Sequence, residues 1–355
     1  MRTSRSLVLA LASIMIAGTA SIPARADDSS TTTTKSTTSK TTTTKQVSVS
    51  TSGHHPKIGL ALGGGGSRGS AHVGVLRVLL EEGVPIDLIA GTSIGSVVGG
   101  FYAAGVSVDE LESQFQNDTF IKEFMPMPLA VRLVLEPVIF VPRIFGYHPY
   151  DGLYKGKRFR TYADKLSGHT KIEQLSMPFA AVVTDVVSGA STRLTSGDLG
   201  TALQASTAVP GLKKPVQIGD RLYCDGGLIC NLPTKHVREM GADFVIAVNI
   251  DEYLNDVPLK TFRKAGSMST QALKIQLAVS DDALAKEAEI SVHPDTTGIT
   301  LISRKKKDAE RGIEAGVKAA REAMPEIRRK LEALGIKLHP VVPSKVSSST
   351  ETSTK

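Results

Sequence analysis

The sequence predicts a three-layer α/β/α domain with a mostly parallel central sheet and a helical C-terminal extension. Short apolar runs alternate with segments whose apolar residues recur at helical spacing, a pattern typical of a parallel sheet covered on both faces. Hydrophobic residues make up 41% of the 355 residues, which is enough for a sizeable core. No window holds about 18 uninterrupted apolar residues, so the composition excludes a polytopic membrane protein.

The first part of this domain predicts two consecutive strand-to-helix units. Lys57–Leu62 is an apolar run that indicates a buried strand, and four glycines follow it. Ala71–Glu82 has helical spacing and ends at Gly83. Leu88–Ala90 predicts the second strand, and a helix rich in small residues is predicted over 93–104. Further strands are predicted at Phe179–Thr184, Arg221–Cys224 and Phe244–Ile250.

The N-terminus has the pattern of a secretory signal peptide over residues 1–26. Arg2 and Arg5 precede an apolar run, and an Ala-Arg-Ala cleavage pattern closes the segment. We therefore expect export to the periplasm or the medium, with the mature protein beginning near Asp27.

The remaining boundaries follow from composition. Residues 27–56 form a linker dominated by Ser, Thr and Lys, and residues 339–355 form a tail of similar character; neither is expected to fold. Between them we expect the α/β domain over 57–255 and the helical extension, packed on that domain, over 256–338.

Charge and cysteine content limit the partners and cofactors of the folded part. The net charge of +7 lies mostly at the two ends, which leaves about +2 for residues 57–338. Nucleic-acid binding is therefore not expected. Cys224 and Cys230 are the only cysteines, too few for a Cys-rich zinc module. The sequence leaves open whether they form a disulfide or remain thiols.

The first of three chemical motifs is Gly-Thr-Ser-Ile-Gly, residues 91–95, between the second strand and the next helix. A serine on a sharp strand-to-helix turn projects its hydroxyl, and flanking glycines permit close backbone contacts. The N–H groups that open the helix favour negative charge, as an oxyanion requires. By itself the motif also fits an ordinary tight turn. The motif residues with a possible chemical role are Gly91, Ser93, Ile94 and Gly95.

A glycine-rich loop, residues 63–69, follows the first strand. Its Gly-x-Gly-x-x-Gly pattern also occurs in dinucleotide-binding folds, but Asp87 precedes the second strand instead of closing it, so that alternative is disfavoured. Backbone N–H groups of such a loop can instead form an oxyanion hole. Arg68 is expected either to position the loop or to attract an anionic headgroup. The loop residues of interest are Gly64, Gly65, Gly66 and Gly69.

The third motif is Asp225-Gly226-Gly227, where a predicted strand ends at a turn. Asp-Gly is common at turns, so structure alone can account for it. A carboxylate at this position can also accept the proton of a serine hydroxyl, provided that its pKa is raised or its geometry is favourable.

These three motifs, in this order and on these elements, resemble the bacterial branch of the patatin-like phospholipase family. The resemblance covers about Lys57–Ile250 and extends to segments such as Ala205–Gly211 and Asn231–Pro233. One departure is Lys213, where relatives often carry an aromatic residue.

The resemblance implies a Ser–Asp dyad that works without histidine or metal. Ser93 would be the nucleophile and Asp225 the general base, with backbone N–H groups of Gly64, Gly65, Gly66 and Ile94 holding the oxyanion. The residues that support these motifs would be Arg68, Gly69, Gly91, Gly95, Gly226 and Gly227. The implied reaction cleaves fatty acyl esters of phospholipids or lysophospholipids through an acyl-enzyme. Two alternatives remain: an esterase for soluble esters, and a lipid-binding protein with an idle dyad.

Two further features are weighed against this interpretation. His72 and His236 invite a Ser–His–Asp triad, but a packed histidine is the commoner role for either. The stretch Phe124–Phe145 is the most apolar in the chain interior, and its prolines exclude a continuous membrane span. We expect this stretch to be buried under the domain. The more specific hypothesis is a mobile flap that contacts the lipid surface, which substitutions at Leu133 and Val138 would test.

Overall fold

The structure is a computed structural model that describes residues 55–129, 131–132, 134–135, 150–254, 256–264 and 267–340. The predicted signal peptide, nearly all of the linker and most of the tail lie outside these residues. So do Leu133 and Val138, the two test positions of the proposed flap.

Eight strands form one sheet within the described residues, and the prediction of a mostly parallel sheet is confirmed. The strand order is β5-β6-β3-β2-β1-β7-β8, and β4 pairs with β3 beside this path. The pairs that link β3, β2, β1, β7 and β8 are parallel, whereas β4, β5 and β6 pair antiparallel. The strands are β1 Ile58–Leu62, β2 Leu88–Thr92, β3 Phe179–Asp185, β4 Ala190–Leu194, β5 Val216–Ile218, β6 Arg221–Asp225, β7 Phe244–Val248 and β8 Ile290–Val292.

Helices flank this sheet and connect its strands. Those described are α1 Ser70–Glu81, α2 Ile94–Ala103, α3 Val108–Gln116, α4 Thr119–Phe124, α5 Lys157–Leu166, α6 Leu199–Ser206, α7 Thr234–Glu239, α8 Ser267–Ala285 and α9 Lys306–Ala333. Short 3-10 turns include Gly66–Gly69 and Gly226–Leu228. The predicted elements agree with the observed ones to within two residues. One such difference matters: Ser93 precedes α2 instead of belonging to it.

The core lies on both faces of the sheet, because alternate residues of each central strand point to opposite sides. Leu60 and Leu62 of β1 pack in the cluster that includes α1, α2 and α9. Ala61 belongs to the opposite cluster, which contains Val237 of α7 and is contacted by Leu284 of α8. Every residue of β1, β2, β3 and β7 is buried, as expected for parallel strands covered on both faces.

The last helix packs along the first one through backbone contacts at small residues. A Cβ added to Gly74 of α1 would lie 2.1 Å from the carbonyl oxygen of Ile313, and one on Gly316 of α9 would lie 2.0 Å from that of Ala71. Larger side chains at either glycine would separate the helices. The α9 helix also buries Ile327 and Leu331, each stabilising the fold by roughly 1.5–3 kcal/mol.

Strand pairing along β3 brings two distant parts of the chain together. Because β4 pairs with Ala181–Asp185 along one edge of β3, β2 and β6 must share the other edge. The parallel strand β2 ends with Thr92 opposite Val182, and the antiparallel strand β6 ends with Asp225 opposite Val183. The carboxyl ends of β2 and β6 therefore meet at adjacent positions of β3.

Candidate active site

Ser93 occupies a strained turn between β2 and α2. Its φ of 51° and ψ of −121° are unfavourable for a residue with a side chain, so surrounding contacts must hold the turn. The Ser93 N–H donates to Ser206 Oγ at 2.9 Å, and Ser206 Oγ donates to the Val182 carbonyl at 2.7 Å. Ser206 had no role assigned from the sequence, because its two partners are far from it along the chain.

The glycines of this motif permit the close contacts that the sequence predicts. A Cβ on Gly91 would lie 2.4 Å from the carbonyl carbon of Gly95, and a Cβ on Gly95 would lie 2.2 Å from the carbonyl oxygen of Leu62. Since real Cβ atoms do not approach backbone so closely, only glycine fits at either position. The turn is thereby packed directly against β1.

Asp225 lies at the end of β6 and contacts Ser93 directly. Ser93 Oγ donates to Asp225 Oδ2 at 2.7 Å, and the Gly227 N–H donates to Asp225 Oδ1 at 2.8 Å. The residue is 7% exposed, and this burial raises the pKa of its carboxyl to about 6, although both hydrogen bonds oppose the shift. A raised pKa makes the carboxylate a better proton acceptor for an alcohol. A Cβ on Gly226 would lie 2.5 Å from the Val182 carbonyl oxygen, so this turn also requires glycine.

Free amide N–H groups lie on both sides of the serine. Within the described part of the chain, the N–H groups of Gly65, Gly66 and Ile94 have no protein acceptor. The Gly64 N–H differs from the prediction, because it donates to the Asn231 carbonyl at 3.1 Å and is not free for a second acceptor. Gly64 instead provides space, since a Cβ there would lie 3.3 Å from Ser93 Cβ.

The loop is held against α2 and against the C-terminal part of the chain. Gly66 has a left-handed φ of 59°, and a Cβ there would lie 2.2 Å from the Leu301 carbonyl oxygen. A Cβ on Gly69 would lie 2.2 Å from Ile94 Cγ1. The loop and the serine turn therefore pack as one unit.

Arg68 is a buried structural residue of this loop. Its Nε donates to the Ile299 carbonyl at 2.9 Å, and its guanidinium pairs with Asp251 at 3.4 Å and Glu252 at 3.1 Å. Only 4% of the residue is exposed. Of the two roles expected from the sequence, positioning the loop fits these contacts, whereas an already paired guanidinium does not attract a headgroup.

Neither His72 nor His236 contacts the Ser93–Asp225 pair. His72 is fully buried, its Nε2 donates to the Gly63 carbonyl at 2.8 Å, and burial lowers its pKa to about 4. His236 contacts Ser191 and Arg193 of β4, the strand that pairs with the edge of β3 opposite to β2 and β6. Both have the packing role that was expected.

Both cysteines are buried free thiols in the structure. Burial raises the pKa of Cys224 to about 11 and that of Cys230 to about 12. The sequence left open whether the two cysteines form a disulfide or remain thiols, and in the structure they are thiols. Among the described residues, no group of three His, Cys, Asp or Glu side chains is arranged to hold a metal ion.

A mostly apolar cavity of about 240 Å³ opens onto Ser93 and Asp225. One wall comes from α2, α4 and α5 and contains Val97, Phe120, Ile121, Phe124 and Phe159. Other apolar lining residues are Leu228, Leu273, Leu277, Leu301 and Ile302. The Ser93 hydroxyl therefore faces a pocket suited to a hydrocarbon chain.

The start of the apolar stretch lies beside this cavity. Met125 is buried against Tyr154 and Leu212, whereas Val131 and Val134 are 47% and 71% exposed. The buried Lys213 donates to the Phe124 carbonyl and lies over the Phe124 ring, and burial lowers its pKa to about 7. Burial is thus observed for the first residues of the stretch and exposure for later ones.

Fold and site together define an α/β protein with a Ser–Asp site of the kind used for acyl transfer. The family model described as "Patatin-like phospholipase" matches residues 60–238, half of the chain. The chain belongs to the patatin-like phospholipase family.

Individual relatives agree with this assignment. An uncharacterised NTE family protein of Mycobacterium tuberculosis is 35% identical over 196 residues, which are 55% of this chain and 49% of that protein. Patatin-like phospholipase domain-containing protein 6 of Homo sapiens is 34% identical over 195 residues, 54% of this chain and 13% of that protein. The chain thus spans half or less of the relatives it matches.

One solved structure shows a more distant likeness. The crystal structure of VipD from Legionella pneumophila matches with a TM-score of 0.44 and 14% identity, over 77% of this chain and 67% of that one.

Proposed function

We propose that the chain is an exported serine acyl hydrolase of the phospholipase A or lysophospholipase type. Ser93 is the nucleophile, Asp225 is the general base, and the N–H groups of Gly65, Gly66 and Ile94 form the oxyanion hole. The observation that carries this proposal is the 2.7 Å hydrogen bond from Ser93 Oγ to Asp225 Oδ2 beside an apolar cavity.

The proposed reaction has two acyl-transfer steps. Ser93 Oγ attacks the ester carbonyl carbon while its proton passes to Asp225 Oδ2, and the negative carbonyl oxygen is held by the free N–H groups. The carbon–oxygen bond to the alcohol then breaks, and the proton on Asp225 goes to the leaving alcohol. A water molecule, deprotonated by Asp225, cleaves the acyl-enzyme in the same way and releases the fatty acid.

Electrostatics support the oxyanion hole in this position. The Ile94 N–H opens α2, so the partial positive charge of the helix N-terminus adds to the individual donors. The Gly65 and Gly66 N–H groups belong to a loop that Arg68 and Leu301 hold in place. Donors fixed before reaction avoid the reorganisation that water would need.

The substrate class rests on the cavity and on the relatives. Its walls are hydrocarbon, which favours a fatty acyl chain over a polar acyl group. A relative from Debaryomyces hansenii, 33% identical over 202 residues, is described as lysophospholipase NTE1. A phospholipid or lysophospholipid substrate is the proposal that fits both.

Covalent labelling tests the catalytic assignment. A fluorophosphonate probe should label the wild-type chain and not Ser93→Ala, and fatty acid release from defined phospholipids should disappear in Ser93→Ala and Asp225→Asn. The matched control is His236→Ala, which we expect to retain turnover. Labelling that persists in Ser93→Ala, or turnover lost in a folded His236→Ala, would overturn the dyad. Activity confined to short soluble esters would instead indicate a general esterase.

The mouth of the cavity is the proposed contact with a lipid surface. Leu228, Leu301 and Ile302 line the cavity and are 43%, 45% and 41% exposed. Ile302→Asp should weaken binding to phospholipid vesicles, because a charge at the lipid interface is costly. The control is Leu334→Asp, since Leu334 is 42% exposed and does not line the cavity. Equal vesicle binding by both variants would contradict this contact.

The proposal of export rests on the pattern of residues 1–26. Separately, none of the described helices is long and apolar enough to cross a membrane. Mass spectrometry of protein from the producing cell should find a mature N-terminus near Asp27. Protein that retains Met1 inside the cell would contradict export.

A further inference from the structure

Two buried carboxyl groups lie together beside the active-site cavity, which Asp251 helps to line, and the proposed mechanism uses neither. Asp281 belongs to α8 and is fully buried, whereas Asp251 follows β7 and is 6% exposed. Asn231 Nδ2 donates to Asp281 Oδ2 at 2.7 Å and to Asp251 Oδ2 at 3.2 Å. Asp281 lies beyond residues 60–238, the region that the family model matches.

The surroundings of this pair favour the neutral form of one of the two carboxyl groups. Burial and the neighbouring Asp251 carboxylate raise the pKa of Asp281 to about 8, because two negative charges so close in a buried site repel each other. Among the described residues no group donates to Asp281 Oδ1, which leaves this oxygen free to carry a proton. The proton therefore resides mainly on Asp281, which donates it to Asp251.

Other charged and titratable groups around the pair do not remove this repulsion. Arg68 pairs with Asp251, but it also pairs with Glu252, so its charge is shared between two carboxylates. Lys274 on α8 pairs with Glu252. His293 Nε2 donates to the Asp251 carbonyl at 2.8 Å, and the charge of His293 lowers the pKa of Asp251. Burial keeps the thiol of Cys230 neutral.

Asn231 connects this pair to both halves of the active site. Its carbonyl oxygen accepts the Gly64 N–H, and its side-chain Oδ1 lies only 2.3 Å from the position of a Cβ on Gly64. The same Oδ1 lies 3.1 Å from the position of a Cβ on Gly227, whose N–H holds Asp225. The Asn231 Nδ2 group donates to the two carboxyl groups, which fixes the orientation of the side-chain amide. Its Oδ1 therefore faces Gly64 and Gly227.

We propose that Asp281 is a positioning residue of the active site, which in its protonated form holds Asn231 against the glycine loop and the Asp225 turn. This inference rests on the proposed function, since it concerns the same reaction. Loss of the proton strengthens the single hydrogen bond from Asn231 to Asp281, but it also places two negative charges side by side. Their repulsion moves α8 and the loop after β7 apart, so that Asn231 no longer contacts both carboxyl groups. The C-terminal helix α8 then helps to position the active-site residues in addition to packing on the sheet.

Three variants test the inference by hydrolysis of a fatty acyl ester at pH 7. Asp281→Ala should lower kcat by about 10- to 100-fold, the loss that a displacement near 1 Å can cause, with KM changed less than kcat. Asp281→Asn should restore most of kcat, because the introduced amide can donate to Asp251 and accept from Asn231 as the protonated carboxyl does. Asp282→Ala is the matched control, since Asp282 is exposed on the same helix.

The pH profile separates positioning from mere structural support. Wild-type kcat should fall as pH rises through about 8, as the pair loses its proton. Asp281→Asn cannot lose that proton, so its alkaline fall should be absent. An alkaline fall that is identical in Asp281→Asn and wild type would overturn the proposal, as would full activity in Asp281→Ala. If Asp281→Ala does not fold, the comparison of wild type with Asp281→Asn decides alone.

Failure of this inference differs from failure of the proposed function. If the function is wrong, the wild-type chain neither hydrolyses the ester nor reacts with a fluorophosphonate at Ser93. If only the inference is wrong, wild type does both, and the Asp281 variants follow it at every pH.

Discussion

Replacing Asp225 by asparagine should make the protein more stable at neutral pH and at the same time abolish turnover. The introduced amide can accept the Gly227 N–H and donate to Ser93 Oγ, so both hydrogen bonds of the native carboxylate have counterparts. The substitution removes the negative charge of a residue that is only 7% exposed. The folded state then no longer bears the cost of burying that charge.

The magnitude follows from the pKa of Asp225. Burial raises this pKa from 3.8 to about 6, roughly two units, and each unit corresponds to about 1.4 kcal/mol. A carboxyl whose folded pKa lies above its unfolded pKa stabilises the fold fully below the unfolded value, and this contribution is lost as pH rises through the folded value. Asp225→Asn should therefore exceed wild type by about 3 kcal/mol above pH 6 and by little below pH 4.

Urea denaturation of both proteins across pH 4–8 is the assay. Other titrating groups, including Asp251 and Asp281, contribute equally to both proteins and cancel in the difference between their free energies of unfolding. A difference that does not change with pH would refute the reasoning, because it would show that Asp225 keeps an ordinary pKa in the folded state. A variant less stable than wild type above pH 6 would do the same.

Three further predictions concern packing around the site. Gly64→Ala should lower turnover and destabilise the fold by about 1–3 kcal/mol, since its Cβ would lie 2.3 Å from Asn231 Oδ1; wild-type kinetics would contradict this contact. Ser206→Ala leaves the Ser93 N–H without its acceptor and should cost about 1–3 kcal/mol in urea denaturation, whereas a neutral effect would mean that the strained turn needs no such support. A thiol reagent should modify Cys224 and Cys230 only after unfolding, and fewer than two reactive thiols in denatured, unreduced protein would reveal a disulfide.

The sequence predicts the strands and helices that carry the motifs because strong local signals delimit them. Apolar runs that end at glycines place β1, β2 and α1 to within two residues. The strands β4, β5 and β8 are not predicted: β5 and β8 have only three residues each, and β4 is a partly exposed strand without a continuous apolar run. Their positions depend on pairing partners elsewhere in the chain.

Some features of the candidate active site can likewise be predicted from the sequence, and others cannot. The identities of Ser93 and Asp225 can be read from motifs, since each needs a characteristic turn with glycines. The engagement of the Gly64 N–H and the pairing of Arg68 could not be predicted, because their partners lie far along the chain. The raised pKa of Asp281 depends on its burial, which no local sequence pattern encodes.

The meeting of β2 and β6 along a single edge of β3 has a consequence for how such proteins tolerate change. The spacing between nucleophile and base is set by the ladder register of one strand, not by the length of polypeptide that separates them. Insertions or deletions in the connecting loops can alter the walls of the pocket while the distance between the two reacting groups stays constant. Substrate preference is thus free to diversify around a fixed chemical centre.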